Sequence, residues 1–126
     1  MAGEVALGLP YNDTADVYSF TILLWQILSC QQPYKGYTVE EMPNKVWCKN
    51  GQRPDLTGSI ESEVLQAIIT RGWTHTPAKR GSMKQLAKDL EKEREATKEQ
   101  LTLEQSGNNS ASSLDGSSKH SRRSLF

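Results

Sequence analysis

The stretch Asp16-Val-Tyr-Ser-Phe-Thr-Ile-Leu-Leu-Trp25, with the residues that follow it as far as Leu28, decides the fold. Its apolar side chains recur at intervals of three and four, the spacing of one face of an α-helix: Val17, Phe20, Leu23, Leu24, Ile27 and Leu28. Ile22 and Trp25 widen this face until most of the circumference is apolar. Since such a helix belongs inside a domain, we predict a central, buried helix. It is too short to span a membrane, which needs about 20 apolar residues.

Three further helices are predicted after this one, and no segment has the alternating pattern of a β-strand. The first of the three is short and covers residues 43–49, because Pro43 follows closely on its start. Each begins near a residue that is typical of a helix N-terminus: Thr38, Ser59 or Ser62, and Ser82. The fold class that these patterns predict is all-α.

Composition divides the chain into three parts. Residues 1–95 contain the helices that have an apolar face. Residues 96–105 are mostly polar and charged, and we expect them to extend the last helix into solvent, stabilised by ion pairs four residues apart. Residues 106–126 are rich in Ser, Gly and Asn and poor in apolar side chains. That composition predicts a disordered tail.

The charge and cysteine content exclude several classes of protein. The chain has 126 residues, with 15 basic and 15 acidic side chains. Because this balance leaves no basic excess, we expect no nucleic-acid partner and no membrane-surface partner. Cys30 and Cys48 are too few for a disulfide framework and too isolated for a zinc site, so we predict two buried, reduced thiols. The N-terminus does not resemble a signal peptide, and we expect a cytoplasmic protein.

Four segments together resemble one family. Residues 16–25 are similar to the central helix of protein-kinase catalytic domains, D-V-W/Y-S-F-G-I-L-L-W-E, most closely in the tyrosine-kinase and tyrosine-kinase-like groups. Residues 1–4 (Met-Ala-Gly-Glu) resemble Met-Ala-Pro-Glu, residues 51–54 resemble G-x-R-P, and residues 71–82 resemble R-C-W-x-x-D-P-x-x-R-P-S. The four matches follow the family's order. The resemblance implies the C-terminal helical subdomain of the kinase fold, beginning at the Ala-Pro-Glu motif.

This resemblance assigns scaffold roles to six residues. It pairs Glu4 with Arg80 inside the lobe, where a guanidinium can donate two parallel hydrogen bonds to a carboxylate. It makes Asp16 the anchor of a catalytic loop, and the local sequence also makes Asp16 a helix N-cap. Leu23 and Ile27 match positions of the hydrophobic spine of the family. Packing in the core would by itself explain both side chains. Trp73 is implied to be a buried plug beneath the third helix.

Departures from the family pattern accompany these matches. Non-family residues occupy five motif positions: Gly3 for proline, Thr21 for glycine, Gly72 for cysteine, Thr76 for aspartate and Gly81 for proline. Two of them lie beside the expected Glu4–Arg80 pair and introduce flexible backbone. The departures are consistent with drift towards a pseudokinase.

The motifs of phosphoryl transfer are absent from the 126 residues. No G-x-G is present, His75 and His120 do not precede Arg-Asp, and neither Phe20 nor Phe126 precedes Gly. We therefore assign no catalytic, cofactor-binding or metal-binding residue to this chain and expect it to be inactive alone. ATP and Mg²⁺ are implied only for a full-length parent. Since Met1 matches the family's own methionine, we expect a start assigned at an internal methionine or a truncated gene, with a genuine short product as the alternative.

Two functions remain open from the sequence. The first is a fragment of a kinase whose full-length form phosphorylates protein Ser/Thr, with Tyr as the alternative, and whose partner is the missing upstream half of the domain. The second is a non-catalytic helical interaction module, a pseudokinase-like or competing short form that binds substrates or regulators through residues 38–50. Ser121 and Ser124 lie among basic residues and are candidate phosphorylation sites. Without the upstream half, we expect the central helix to be partly exposed and the chain to aggregate or be molten.

Overall fold

The computed structural model describes the backbone of residues 1–112 and the side chains of residues 1–110. Within that range every regular element is helical and no β-strand occurs, which confirms the all-α prediction. The helices are α1 (Gly3–Ala6), α2 (Thr14–Ser29), α3 (Met42–Lys45), α4 (Glu63–Gly72), a 3₁₀ helix (Pro77–Lys79) and α5 (Met83–Ser112). The helical core lies within residues 1–93, and the later part of α5 belongs to a separate unit.

Helix α2 buries one face against α4. The buried side chains are Ala15, Val17, Tyr18, Thr21 and Trp25, and they pack with Ile68, Ile69, Trp73 and Leu86. The indole Nε1 of Trp25 donates a hydrogen bond to the carbonyl of Asp55, 2.8 Å away. This bond satisfies the polar atom of a buried ring and ties the loop before α4 to the core.

The opposite face of α2 is exposed, which corrects the prediction of core packing for Leu23 and Ile27. The side chains of Leu23 and Ile27 are 49% and 63% exposed, and those of Phe20 and Leu28 are also exposed. The reason is that α4 and the 3₁₀ helix, the elements that contact α2 most extensively, leave this face uncovered. We call Phe20, Leu23 and Ile27 the exposed face of α2. Leu28 lies on the side of Val17, next to the end of the helix at Ser29.

The start of α2 also differs from the prediction. Asp13 is the N-cap residue, and the side-chain oxygen of Asn12 accepts a hydrogen bond from the backbone N–H of Thr14, 3.0 Å away. Asp16 lies within the first turn and is exposed, so its predicted role as N-cap is wrong. A carboxylate in the first turn still interacts favourably with the helix dipole.

The predicted serine caps of the later helices are present. The Ser62 hydroxyl accepts a hydrogen bond from the backbone N–H of Leu65 at the start of α4, which decides between the two predicted starts. The Ser82 hydroxyl accepts one from the N–H of Gln85 before α5. Helix α3 is shorter than predicted and buries no side chain of its own.

Helix α5 continues beyond residue 106, the predicted start of the tail, and is described as far as Ser112. Two serine hydroxyls donate to backbone carbonyls four residues earlier, Ser106 to Thr102 (3.0 Å) and Ser110 to Ser106 (3.1 Å). These hydroxyls bond within the helix rather than competing with it, and residues 106–112 continue α5. Residues 113–126 lie outside the described range.

The two cysteines are not both buried. Cys30 is exposed and adopts a left-handed conformation (φ 55°) just after α2, and Cys48 is half-buried. The prediction of two buried thiols is therefore wrong, because Cys30 lies where the chain leaves the helix rather than on its packed face. Across the part of the chain that the structure describes, none of the helices combines the length and apolar character that crossing a bilayer requires.

Candidate functional site

Arg80 lies at the centre of a buried polar cluster. Its side chain is 1% exposed, and the opposing Glu4 side chain is 10% exposed. The guanidinium donates from Nη1 to Glu4 Oε1 (2.5 Å) and from Nη2 to Glu4 Oε2 (3.0 Å), which is the two-bond geometry that the resemblance implied. The pair links the first helix to the segment that precedes α5, across 76 positions of the sequence.

The remaining donors of Arg80 bond backbone carbonyls. These acceptors are Thr74 (from Nε, 2.7 Å), Thr14 (from Nη1, 3.2 Å) and His75 (from Nη2, 3.2 Å). All five N–H groups of the guanidinium are therefore used. This complete satisfaction allows a permanent charge to remain in the core, and it fixes the start of α2 relative to the loop that follows α4.

The electrostatics of Glu4 reflect two opposing effects. Burial by itself would raise the pKa of this carboxyl, but the hydrogen bonds and positive charge of Arg80 outweigh burial, so the pKa lies below its usual range. Glu4 is therefore ionised at neutral pH and bound at both oxygens. It is a structural anion rather than a proton donor or acceptor.

A second arginine, Arg53, joins the same cluster through Tyr18. The guanidinium carbons of Arg80 and Arg53 lie 5.0 and 5.2 Å from the centre of the Tyr18 ring, within the range of cation–π attraction. Arg53 also donates to the carbonyls of Trp73 (2.9 Å) and Val46 (3.0 Å), and so connects the end of α4 with the end of α3. The sequence analysis did not assign a role to Arg53, although the G-x-R-P match contained the signal.

Tyr34 is a half-buried residue with a buried phenol oxygen, and the sequence analysis missed it. Its phenol oxygen is buried without a hydrogen-bond partner among the described residues, and its backbone has a positive φ of 55°. Burial raises the pKa of the Tyr34 phenol well above its usual value, and the neighbouring Tyr18 raises it further. Tyr34 is therefore a neutral phenol at physiological pH.

The other residues singled out in the sequence divide into two groups. Trp73 is buried with the core around Trp25 and Ile69, as the resemblance implied, and its contacts are structural. Asp16, Leu23 and Ile27 are exposed and take no part in the arginine cluster. The candidate phosphorylation sites, Ser121 and Ser124, lie outside the described residues.

The cluster is a scaffold and lacks the groups of a catalytic or metal centre. Among the described residues, no three His, Cys, Asp or Glu side chains are placed to hold a metal ion. The one buried carboxylate of the cluster already binds Arg80 through both oxygens. These residues therefore do not fit the nucleotide and Mg²⁺ that a kinase requires.

Comparison with known proteins is consistent with this geometry. Residues 1–90 match the sequence model of the family described as protein tyrosine and serine/threonine kinase. The chain is 37% identical over 103 residues to the serine/threonine/tyrosine-protein kinase HT1 of Arabidopsis thaliana, which covers 82% of the chain and 26% of that relative. It is 36% identical over 86 residues to the dual specificity protein kinase shkD of Dictyostelium discoideum, which covers 68% of the chain and 11% of that relative.

An animal receptor shows a comparable similarity. Fibroblast growth factor receptor 1 of Pleurodeles waltl is 36% identical over 93 residues, which covers 73% of the chain and 11% of the receptor. The chain thus spans about a tenth to a quarter of the length of these relatives. The residues that match the family model include Glu4, Arg53 and Arg80 of the arginine cluster.

Proposed function

Because the chain belongs to the protein tyrosine and serine/threonine kinase family, we propose that it forms the C-terminal helical part of a kinase catalytic domain and is inactive by itself. The observation that carries this proposal is the buried Glu4–Arg80 pair, at the two motif positions where the family pattern places it. The pair holds together a helical scaffold and offers no group for phosphoryl transfer. We place the protein in the cytoplasm.

The exposed face of α2 supports the same proposal. A protein core does not leave Phe20, Leu23 and Ile27 in water without cost, since full burial of one such side chain is worth about 1.5–3 kcal/mol. A remaining part of a kinase domain, carrying the ATP-binding and catalytic loops, would cover this face. ATP and Mg²⁺ belong to that remaining part in this proposal.

For the parent protein we propose phosphorylation of protein Ser/Thr, with Tyr as the alternative. The relatives include a dual specificity kinase and a serine/threonine/tyrosine kinase, which supports a Ser/Thr acceptor and keeps Tyr as the alternative. The drift towards a pseudokinase, inferred from the departures at Gly3 and Gly81, remains a proposal about the parent.

Two measurements test this proposal. The chain alone should bind no ATP in a calorimetric titration with Mg²⁺ and should transfer no radiolabelled phosphate to a generic protein substrate. The messenger RNA upstream of the Met1 codon should continue the reading frame through His-Arg-Asp and Asp-Phe-Gly. Stoichiometric ATP binding by the chain alone would refute its inactivity, and in-frame stop codons directly upstream would refute the kinase parent.

A second candidate function is the non-catalytic interaction module. It is favoured by the surface around α3, where Val39 is 76% exposed and α3 itself buries no side chain. A short form that uses this surface would compete for the substrates or regulators of the parent kinase. Adding the 126-residue chain to the parent should then lower phosphorylation of its substrate, and Val39→Asp should remove that inhibition. Inhibition that Val39→Asp leaves unchanged would count against this surface.

A further inference from the structure

A basic groove lies on the surface that joins the end of α3 to the end of α4. Its volume is about 350 Å³, and its ten lining residues include Lys49, Arg53, His75 and Lys79 but no aspartate or glutamate. The chain as a whole has equal numbers of basic and acidic residues. The concentration of positive charge in this groove is therefore local and not a consequence of overall composition.

The cations of the groove are available to a ligand in different degrees. Lys49 and Lys79 are exposed, and the described residues contain no hydrogen bond or ion pair that engages either ammonium group. Arg53 is held in place by hydrogen bonds to the carbonyls of Trp73 and Val46 and contributes a fixed charge to the wall. The groove thus combines one positioned charge with two lysines that are free to contact a ligand, an arrangement that suits an anion.

The carboxylate that interacts with His75 does not cancel this charge. His75 is the smallest of the contributions that lower the pKa of Glu4, and both oxygens of Glu4 are bound by Arg80. The side chains of Asn50 and Thr76 add neutral groups that can donate hydrogen bonds at the rim. An anionic ligand would therefore meet donors and positive charges and no unpaired negative charge.

We propose that this groove binds a phosphorylated side chain on a peptide segment, with Lys49 and Lys79 contacting the phosphate. A dianionic phosphate matches two mobile ammonium groups beside a fixed guanidinium. The volume lies at the lower end of the range of about 300–1,000 Å³ found for ligand pockets, which leaves room for the phosphate and the side chain that bears it.

Other polyanions fit this surface less well. A nucleic acid requires a basic stripe along an extended surface, whereas the positive charges here line a single groove. A membrane surface is bound by basic residues next to apolar side chains that enter the lipid. The lining residues include no exposed aliphatic side chain, and Trp73 is buried. Neither lysine occupies a fixed position of the motifs that carry the family resemblance.

The site can be tested by direct binding, without ATP and without catalysis. The 126-residue chain is titrated with a fluorescent degenerate peptide mixture that carries one fixed phosphoserine, and separately with the same mixture carrying serine. Inorganic phosphate and vesicles that contain phosphatidylserine are used as competitors. We expect the phosphorylated mixture to bind at least about tenfold more tightly than the serine mixture, because two charge-assisted contacts are lost without the phosphate. Added salt should weaken the binding.

Matched lysine variants locate the site. The double variant Lys49→Ala/Lys79→Ala should lose about tenfold or more in affinity, whereas Lys84→Ala/Lys88→Ala, with the same change in net charge on exposed positions of α5, should not. Both pairs are exposed, so unchanged circular dichroism should accompany each variant.

An equal loss in the two double variants, or equal binding of the phosphorylated and serine mixtures, would overturn the proposal. Displacement by inorganic phosphate at equal concentration would overturn the assignment to a peptide, and tighter binding to the vesicles would assign the groove to a lipid surface instead. None of these outcomes depends on the kinase activity of a parent.

Discussion

The side chain of Thr21 occupies the space that Gly72 leaves open where α2 packs against α4. A Cβ added to Gly72 would overlap the Thr21 hydroxyl and approach Cβ and Cγ2 of Thr21 to 3.1 Å. Thr21 is fully buried, and its hydroxyl donates to the carbonyl of Val17 at 2.7 Å. The family pattern has glycine at the first position and cysteine at the second. The two departures therefore compensate each other, with the larger side chain moved from α4 to α2.

This compensation predicts a coupling between the two positions. Gly72→Ala should lower the free energy of unfolding by about 1–3 kcal/mol, because the added methyl overpacks the contact. When Thr21 is already replaced by alanine, Gly72→Ala should lower the free energy of unfolding by a smaller amount. The difference between the two losses is the coupling energy, which we expect to be about 0.5 kcal/mol or more. Urea unfolding of the two single variants and the double variant, at concentrations where the chain is monomeric, measures this coupling. Strictly additive losses would show that the two side chains do not share the space.

The Glu4–Arg80 pair predicts a large loss of stability when either partner changes. Arg80→Lys keeps the charge but cannot donate two parallel bonds to Glu4, nor reach the carbonyls of Thr74 and His75 together. We expect a loss of about 3–5 kcal/mol, as for other broken buried pairs. This loss is comparable with the whole stability of a small domain, so urea unfolding at pH 7 should show a greatly lowered midpoint.

An exposed pair provides the control for this substitution. Lys45 and Glu41 are 2.6 Å apart, and both side chains are substantially exposed. Glu41→Gln should therefore shift the midpoint much less than Glu4→Gln, because water solvates the partner that remains. Similar shifts for the two variants would contradict a buried, structural role for Glu4.

The lowered pKa of Glu4 predicts a pH dependence of stability. The folded carboxyl has a lower pKa than the unfolded one, so its stabilising contribution is fully present above the unfolded value of about 4.3 and is lost as the pH falls through the folded value. The stability difference between the native chain and Glu4→Gln should shrink as the pH is lowered below about 5.

The comparison with Glu4→Gln is needed because Glu4 is not the only carboxyl with a lowered pKa. Hydrogen bonds from Lys45 and Arg71 also lower the pKa values of Glu41 and Asp89. Glu41 and Asp89 contribute equally to the acid sensitivity of the native chain and of Glu4→Gln. Their contribution therefore cancels when the stabilities of the two proteins are subtracted. Urea unfolding from pH 7 to pH 3 is the measurement, and a difference that stays constant over this range would exclude Glu4 as the cause.

The backbone conformation of Gly81 predicts that replacing this residue with the proline of the family pattern destabilises the fold. Its φ of +79° lies in the left-handed region, whereas proline fixes φ near −65°. Gly81→Pro should therefore lower the free energy of unfolding by more than about 1 kcal/mol, and Gly81→Ala should cost about 1–2 kcal/mol. Gly107→Ala, within α5 and without neighbours near the added methyl, should cause no loss. A stabilised Gly81→Pro variant would show that the segment adopts the family's conformation.

The exposed face of α2 predicts self-association of the isolated chain. Leu23→Gln/Ile27→Gln should lower the tendency to associate, as measured by sedimentation velocity over a range of concentrations, because it removes apolar surface from water. The double variant Leu101→Gln/Leu103→Gln replaces two leucines that are similarly exposed on α5 and is the control. Equal effects of the two double variants would mean that association is not specific to α2.

The sequence by itself determined the fold class and two of the helix starts, and its resemblance to one family named the partners of the long-range pair. Helix starts such as Ser62 and Ser82 were predictable because a cap bonds a backbone N–H three residues away. The pairing of Glu4 with Arg80 came from the resemblance, since two motifs far apart in the chain name both partners. The kinase family was recognisable for the same reason, from an ordered set of short motifs.

Only the tertiary structure decided which sides of these elements face the core. The apolar pattern of α2 gives the angular position of each side chain, but a helix that is apolar nearly all round does not specify which side its neighbours cover. The structure covers the side of Val17 and Trp25 and leaves Leu23 and Ile27 exposed. In the same way, the sequence shows Thr21 and Gly72 only as two separate departures from the family pattern. The packing of α2 on α4 brings the two residues into contact. Compensation of side-chain volume depends on proximity in space, so it leaves no local pattern in the sequence.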